Sequence, residues 1–104
     1  MTIPDFMLGN IPERMREGVI RYIMDGVPPG GFLWSILENN FYEAAARADE
    51  QNRLYFKEYS LMLGMLPYKS WGCRKFVTDW ISSGGLNGQK ERETKDAADD
   101  NRET

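Results

Sequence analysis

The chain has 104 residues and a mass of 12.0 kDa, with 13 basic and 16 acidic side chains, a net charge of −3 and a pI near 4.9. That length accommodates at most one domain. With no histidine and Cys73 as the single cysteine, a disulfide scaffold, a His/Cys zinc site and an imidazole relay are excluded. The acidic balance argues against direct DNA binding, which rests on neutralising phosphates.

Residues 1–10 read as an N-terminal arm with no long apolar run. The body, residues 11–86, is expected to be all-α: a small four-helix domain with no strand-like alternation and no internal repeat. The first helix is expected over residues 12–25. Pro12 suits an early helical position, Met15, Val19, Tyr22 and Ile23 share a face, and Gly26 supplies a stop. The stiff turn Val27-Pro28-Pro29-Gly30-Gly31 follows. A short helix is expected over 32–38, broken at Asn39-Asn40, either of which can cap the next helix.

The third segment, residues 41–66, is expected to be one long central helix and the spine of the domain. Positions 41, 45, 48, 52, 55, 59, 62 and 66 hold Phe, Ala, Ala, Asn, Tyr, Tyr, Met and Leu, a 4-3-4-3 spacing that makes a sustained inward seam. Pro67 ends it. After a loop containing Trp71-Gly72, the last helix is expected over 74–82, with Phe76, Val77, Trp80 and Ile81 on one side and Gly84 as terminator.

Beyond Leu86 the composition changes. Residues 87–104 hold six acids, four bases and, as apolar side chains, two alanines. Such a segment cannot offset its ordering entropy by burial, so a disordered acidic tail is expected, serving as an acidic lure, as a solubility aid, or simply as a frayed terminus. All 13 aromatics precede it. They exceed what a core this small needs, which points to a homo-oligomer; a dense monomeric core is the alternative. The longest apolar run, residues 61–66, is far below the roughly 18 residues of a membrane span. With a lone thiol and no export signal, a reducing cytoplasm is the expected compartment.

The candidate binding residues fall in four groups. Arg14, Gly18 and Arg21 share one face of the first helix, either as an anion-binding stripe or as a solvated face in which Glu17 pairs with Arg21. Arg47, Asp49, Asn52 and Arg53 cluster in the third segment, where Asn52 sets helix register, reads a ligand, or marks a mis-phased seam. Trp34, after the Pro-Pro-Gly-Gly turn, is a recognition edge or part of a structural staple. Trp71 opens the last helix beside Cys73, whose thiol lacks the imidazole base that nucleophilic catalysis ordinarily uses. No cofactor is implied, and an enzyme is disfavoured by the missing catalytic residue types.

The elements Ile11-Pro12, Met15, Arg16, Gly18, Arg21-Tyr22, Gly26, Pro28-Pro29-Gly30, Phe32-Leu33, Asn39, Ala45, Arg47-Ala48-Asp49, Asn52, Trp71-Gly72 and Trp80 together span residues 11–85. In that combination the chain resembles a family of small helical proteins encoded in bacteriophage genomes, a family without an established common activity. It departs from the pattern at Gly31, where a serine follows the Pro-Pro-Gly, and at Cys73-Arg74, where a Ser-Pro pair opens the last helix. The resemblance implies a phage protein that works in the host bacterial cytoplasm by stoichiometric binding. The expected function is a non-enzymatic inhibitor that binds a host protein and counteracts a host process or antiviral defence. The alternatives are an oligomeric sponge for a nucleotide immune signal, such as a cyclic nucleotide, and a virion assembly accessory. An inhibitor could use Trp34, Tyr42, Tyr68 and Trp71; a sponge could use Arg14, Arg21, Arg47 and Arg53 with Tyr22.

Overall fold

Proline, glycine and asparagine punctuate the first forty residues, and the helices begin and end at them. In the computed structural model, which describes residues 8–90, Pro12 stands as the N-cap of α1 (Glu13–Asp25), and Gly26 closes that helix in the left-handed conformation at φ 68°. The prolines end at α2 (Gly31–Leu37). Asn39 turns the chain at φ 63°, and the Asn40 side chain accepts a hydrogen bond from the Glu43 amide, capping α3 (Phe41–Arg47). A 3-10 turn (Asn52–Tyr55) leads directly into α4 (Phe56–Met65), and α5 (Arg74–Ser83) ends at Gly84. Residues 85–90 are helical again, so the chain remains regular past Leu86. Residues 1–7 of the expected arm and 91–104 of the expected tail lie outside the described residues. No strand occurs among the described residues, and the all-helical class holds.

The long central helix does not form. Residues 41–66 are three pieces, and the break is at Ala48, whose backbone is extended at ψ 135°. The cause is local competition for backbone hydrogen bonds: the Asp49 carboxylate accepts the Asn52 amide at 2.7 Å, offering the chain a turn in place of a helical bond. The first half of the seam therefore loses its phase. Ala44 is buried in place of Ala45, and Ala48 is only half-buried, whereas Tyr59, Met62 and Leu66 keep the inward phase.

The core is contiguous. Val19, Tyr22 and Ile23 of α1 meet Leu33, Ile36 and Leu37 of α2, Tyr59 and Met62 of α4, and Val77 and Trp80 of α5; Leu8 and Ile11 belong to it as well. Its polar atoms are paired. The Tyr22 hydroxyl donates to the Ser70 carbonyl at 2.6 Å, and the Trp80 indole donates to the Tyr22 carbonyl at 3.0 Å, in the last turn of α1. The ends of α1 and α5 meet glycine to glycine. A Cβ on Gly85 would lie 2.6 Å from the Ile23 carbonyl oxygen, and one on Gly26 would lie 2.9 Å from the Gly85 nitrogen. Only backbone without side chains fits there. No helix among the described residues is long and apolar enough to cross a membrane.

Candidate functional site: the crevice between the second and third helices

The α2–α3 hairpin buries one side and exposes the other. Leu33, Ile36 and Leu37 point into the core. Gly31, Trp34, Ser35 and Glu38, at i, i+3, i+4 and i+7, form another face of α2. Asn40, Glu43 and Arg47 line the facing side of α3. With Pro29 and Arg74, these residues enclose an open crevice of about 570 Å³, within the range of small-ligand and peptide sites.

Its charged groups are anchored in pairs. The Glu38 side chain is only 9% exposed, and one of its oxygens, Oε1, accepts both the Trp34 indole N–H at 2.5 Å and the Arg74 Nε–H at 3.1 Å. Burial of a carboxylate is tolerated when charge-assisted donors satisfy it, and this one fixes the indole and one guanidinium together. At the other end of α2, Arg47 Nε lies 3.4 Å from Glu43 Oε2. Arg47 Nη1 sits above the first residue of α2, where a Cβ added to Gly31 would come within 2.9 Å of it. Both arginines thus use Nε on a carboxylate, and their side chains are 56% and 81% exposed for Arg47 and Arg74.

Of the residues singled out in the sequence, the crevice brings together Trp34 and Arg47. The others lie elsewhere. Arg14 donates to Asp49 and Gln51, both at 2.5 Å, tying α1 to the α3–α4 connection. Arg21 pairs with Glu17 on the surface of α1, and Arg53 with Glu50. Gly18, between the two α1 arginines, faces the Leu33 side chain of α2, so that approach is already taken. Tyr22 is fully buried and presents no ring for stacking. Trp71 is half-buried against the core, and the next amide, Gly72, donates to the Leu37 carbonyl at 2.8 Å. Arg14, Arg21, Arg47 and Arg53, expected to converge with Tyr22 on a nucleotide, are each paired with a different carboxylate, and Tyr22 is buried.

Asn52 is buried, and its amide is satisfied within the chain: Oδ1 accepts the Tyr59 hydroxyl at 2.7 Å, and Nδ2 lies 3.8 Å from the Met15 sulfur. It needs no symmetry mate. Asp49 beside it is held below the usual carboxylate range, first by the Asn52 amide and then by Arg14. Burial pushes the Tyr59 and Tyr22 hydroxyls well above their ordinary value near 10.

The residues that the sequence reading passed over are Glu38, Asn40, Glu43 and Arg74. The i, i+3, i+4, i+7 face of α2 was available as a signal; the arrival of Arg74 beside Glu38 was not, since 36 residues separate them. Comparison with protein-family models, with curated proteins and with solved structures gives no match to this chain.

Proposed function

We propose that this chain is a phage-encoded, non-enzymatic binding protein that counteracts a host process or antiviral defence by stoichiometric binding to a host protein in the bacterial cytoplasm. The observation that carries this reading is the α2–α3 crevice, in which a tryptophan and two anchored arginines stand side by side. Trp and Arg are the side chains that most often dominate protein interfaces. Here their positions are preset by Glu38 and Glu43, which lowers the entropic cost of using them. Each titratable group lining the crevice is held in an ion pair, an arrangement suited to recognition rather than proton transfer. Tyr42 and Tyr68, 85% and 84% exposed, extend the aromatic surface available to a partner.

A second reading, sequestration of a nucleotide signal, draws on the same convergence, because an indole beside guanidinium groups also suits a base and its phosphate. Two experiments separate the readings. Calorimetry with cyclic di- and trinucleotides should give no heat of binding if the target is a protein; submicromolar binding lost on Arg47→Ala would move the function to the nucleotide. Affinity capture from a bacterial lysate with Trp34→Ala as control should recover a host protein with wild type only. Equal recovery by both would remove the crevice from the function.

A further inference from the structure

We propose that the break at Ala48, Asp49 and Glu50 is a hinge through which two copies of this chain exchange halves, residues 41–66 straightening into one helix in each copy. The partner is a second copy, the surface it takes is the core itself, and the inference is independent of the binding function above. The break involves little. Residues 41–47 and 56–65 are already α-helical, residues 52–55 form a 3-10 turn, and Gln51 has helical dihedrals at φ −78° and ψ −50°. Ala48 keeps a φ of −69° and departs from the helix in ψ. Residues 41–66 contain no proline, and their one glycine is Gly64, so no residue at the break forbids a helix. The seam pattern agrees. Its 4-3-4-3 spacing runs through the break without a skip, yet the closed chain leaves Ala45 exposed and Ala48 half-buried. A straight helix returns both to the phase of Tyr59 and Met62.

The contacts between the halves identify the partner. Residues 8–47 meet residues 52–90 through the core: the Phe41 and Phe56 rings are 6.1 Å apart, the Trp80 indole donates to the Tyr22 carbonyl, and Gly26 abuts Gly85. In a straight helix, rising about 1.5 Å per residue, Phe41 and Phe56 of one chain would stand about 22 Å apart. A chain opened in that way bares its core, and the surface that fits it is the other half of an identical chain. Two opened copies remake these contacts reciprocally. The difference between the closed chain and the exchanged dimer is then confined to the hinge. On the closed side stand the Asp49 carboxylate on the Asn52 amide and Arg14 on Asp49 and Gln51. The Arg14 and Asp49 side chains are half exposed, where an ion pair contributes little. On the straight side stand the helix propensities of Ala48, Glu50 and Gln51. Asp49 is the latch.

The test unfolds the full chain in urea and refolds it at millimolar and at micromolar protein, followed by size exclusion with light scattering. Millimolar refolding should yield a species of twice the 12.0 kDa chain mass. It should persist for hours after dilution, because return to the closed chain requires the core to open. Asp49→Ala removes the latch and adds a helix former, so it should raise the dimerisation constant about a hundredfold, tenfold at each of two hinges. Ala48→Gly weakens the straight helix and should lower the constant about 25-fold, fivefold at each hinge. Leu61→Glu should leave this slow dimer in place, since the exposed face of α4 takes no part in it. Amide exchange at Asp49 and Glu50 should slow in the isolated dimer, as those groups enter a helix. No dimer from either wild type or Asp49→Ala overturns the exchange. So does a dimer that falls apart at once on dilution, one abolished by Leu61→Glu, or one formed equally by Asp49→Ala and Ala48→Gly. Should Asp49→Ala fail to fold, wild type against Ala48→Gly decides, and equal dimer from those two overturns the hinge.

Discussion

At the scale of single residues, Asn52 ties α1 to α4 through an uncharged side chain. It is buried where α1, the 3-10 turn and α4 meet, and its oxygen takes the hydroxyl of an equally buried tyrosine. Asn52→Leu should cost about 1–3 kcal/mol, because it strands the Tyr59 hydroxyl without a partner. The double change Asn52→Leu/Tyr59→Phe should recover much of that loss, and urea unfolding of the four proteins in a double-mutant cycle measures the coupling. The neighbouring Asp49 sets an acid-side dependence. Its folded carboxyl binds a proton less tightly than the unfolded one, whose ordinary value is 3.8. Its contribution is therefore present above that value and lost as pH falls through the lower, folded one. The tyrosines act with the opposite sign. Tyr22 and Tyr59 hold their protons more tightly when folded, so stability is whole below pH 10 and declines as pH rises past it. Melting temperature against pH should fall on both sides, and Asp49→Asn should flatten the acid limb alone.

Elements meet in this protein where side chains are small or missing. The junction of α1 and α5 depends on Gly26 and Gly85, each in the left-handed region and each within 2.9 Å of opposing backbone if given a Cβ. Gly26→Ala and Gly85→Ala should each destabilise by more than about 2 kcal/mol, since backbone strain and an immovable clash add. Gly64 in α4 is a control: it is helical, with open space around it. Gly64→Ala should stabilise by about 0.5–1 kcal/mol. Thermal unfolding of the three variants decides the matter, and a similar cost at all three positions would contradict the packing described. The break at Ala48 shows the same economy at the level of one hydrogen bond. A helix through residues 41–66 is interrupted at Asp49, whose carboxylate caps Asn52 and is braced by Arg14 from another helix.

For the whole molecule, the distribution of exposed apolar side chains matters most. Leu61 and Met65, one turn apart on α4, are 62% and 44% exposed, and Leu54 just before that helix is 72% exposed. Self-association, expected from the aromatic and methionine content, has this face available to it. The seam at Ala45, Ala48 and Asn52 does not offer the same, since Asn52 is satisfied inside the chain. Light scattering at micromolar concentration should give a mass above 12 kDa for wild type. Leu61→Glu should return it toward the monomer with the helical signal intact, because that side chain contributes little to the core. A monomeric wild type across that range would remove the oligomer from the proposed function.

The helix class, the start and end of α1, α2 and α5, and the core positions of α1, α4 and α5 such as Val19, Tyr22, Ile23, Tyr59, Met62, Val77 and Trp80 were legible in the residues, because period, capping groups, proline and glycine act over three or four positions and need no tertiary partner; the α2 core of Leu33, Ile36 and Leu37 was not. Trp34 and Arg47 were likewise visible as candidates. What only the tertiary structure decided was which interactions compete. The turn at Ala48 is local in origin, but its Asp49 is also braced by Arg14 from 35 residues away. The burial of Tyr22 on all sides depends on α5 and the Ser70 loop closing over it. The crevice became a site only when Arg74 arrived beside Glu38, and when Gly31 left room for Arg47. Local rules cannot see such meetings, since the free energy that decides them comes from groups distant in the chain and adjacent in space.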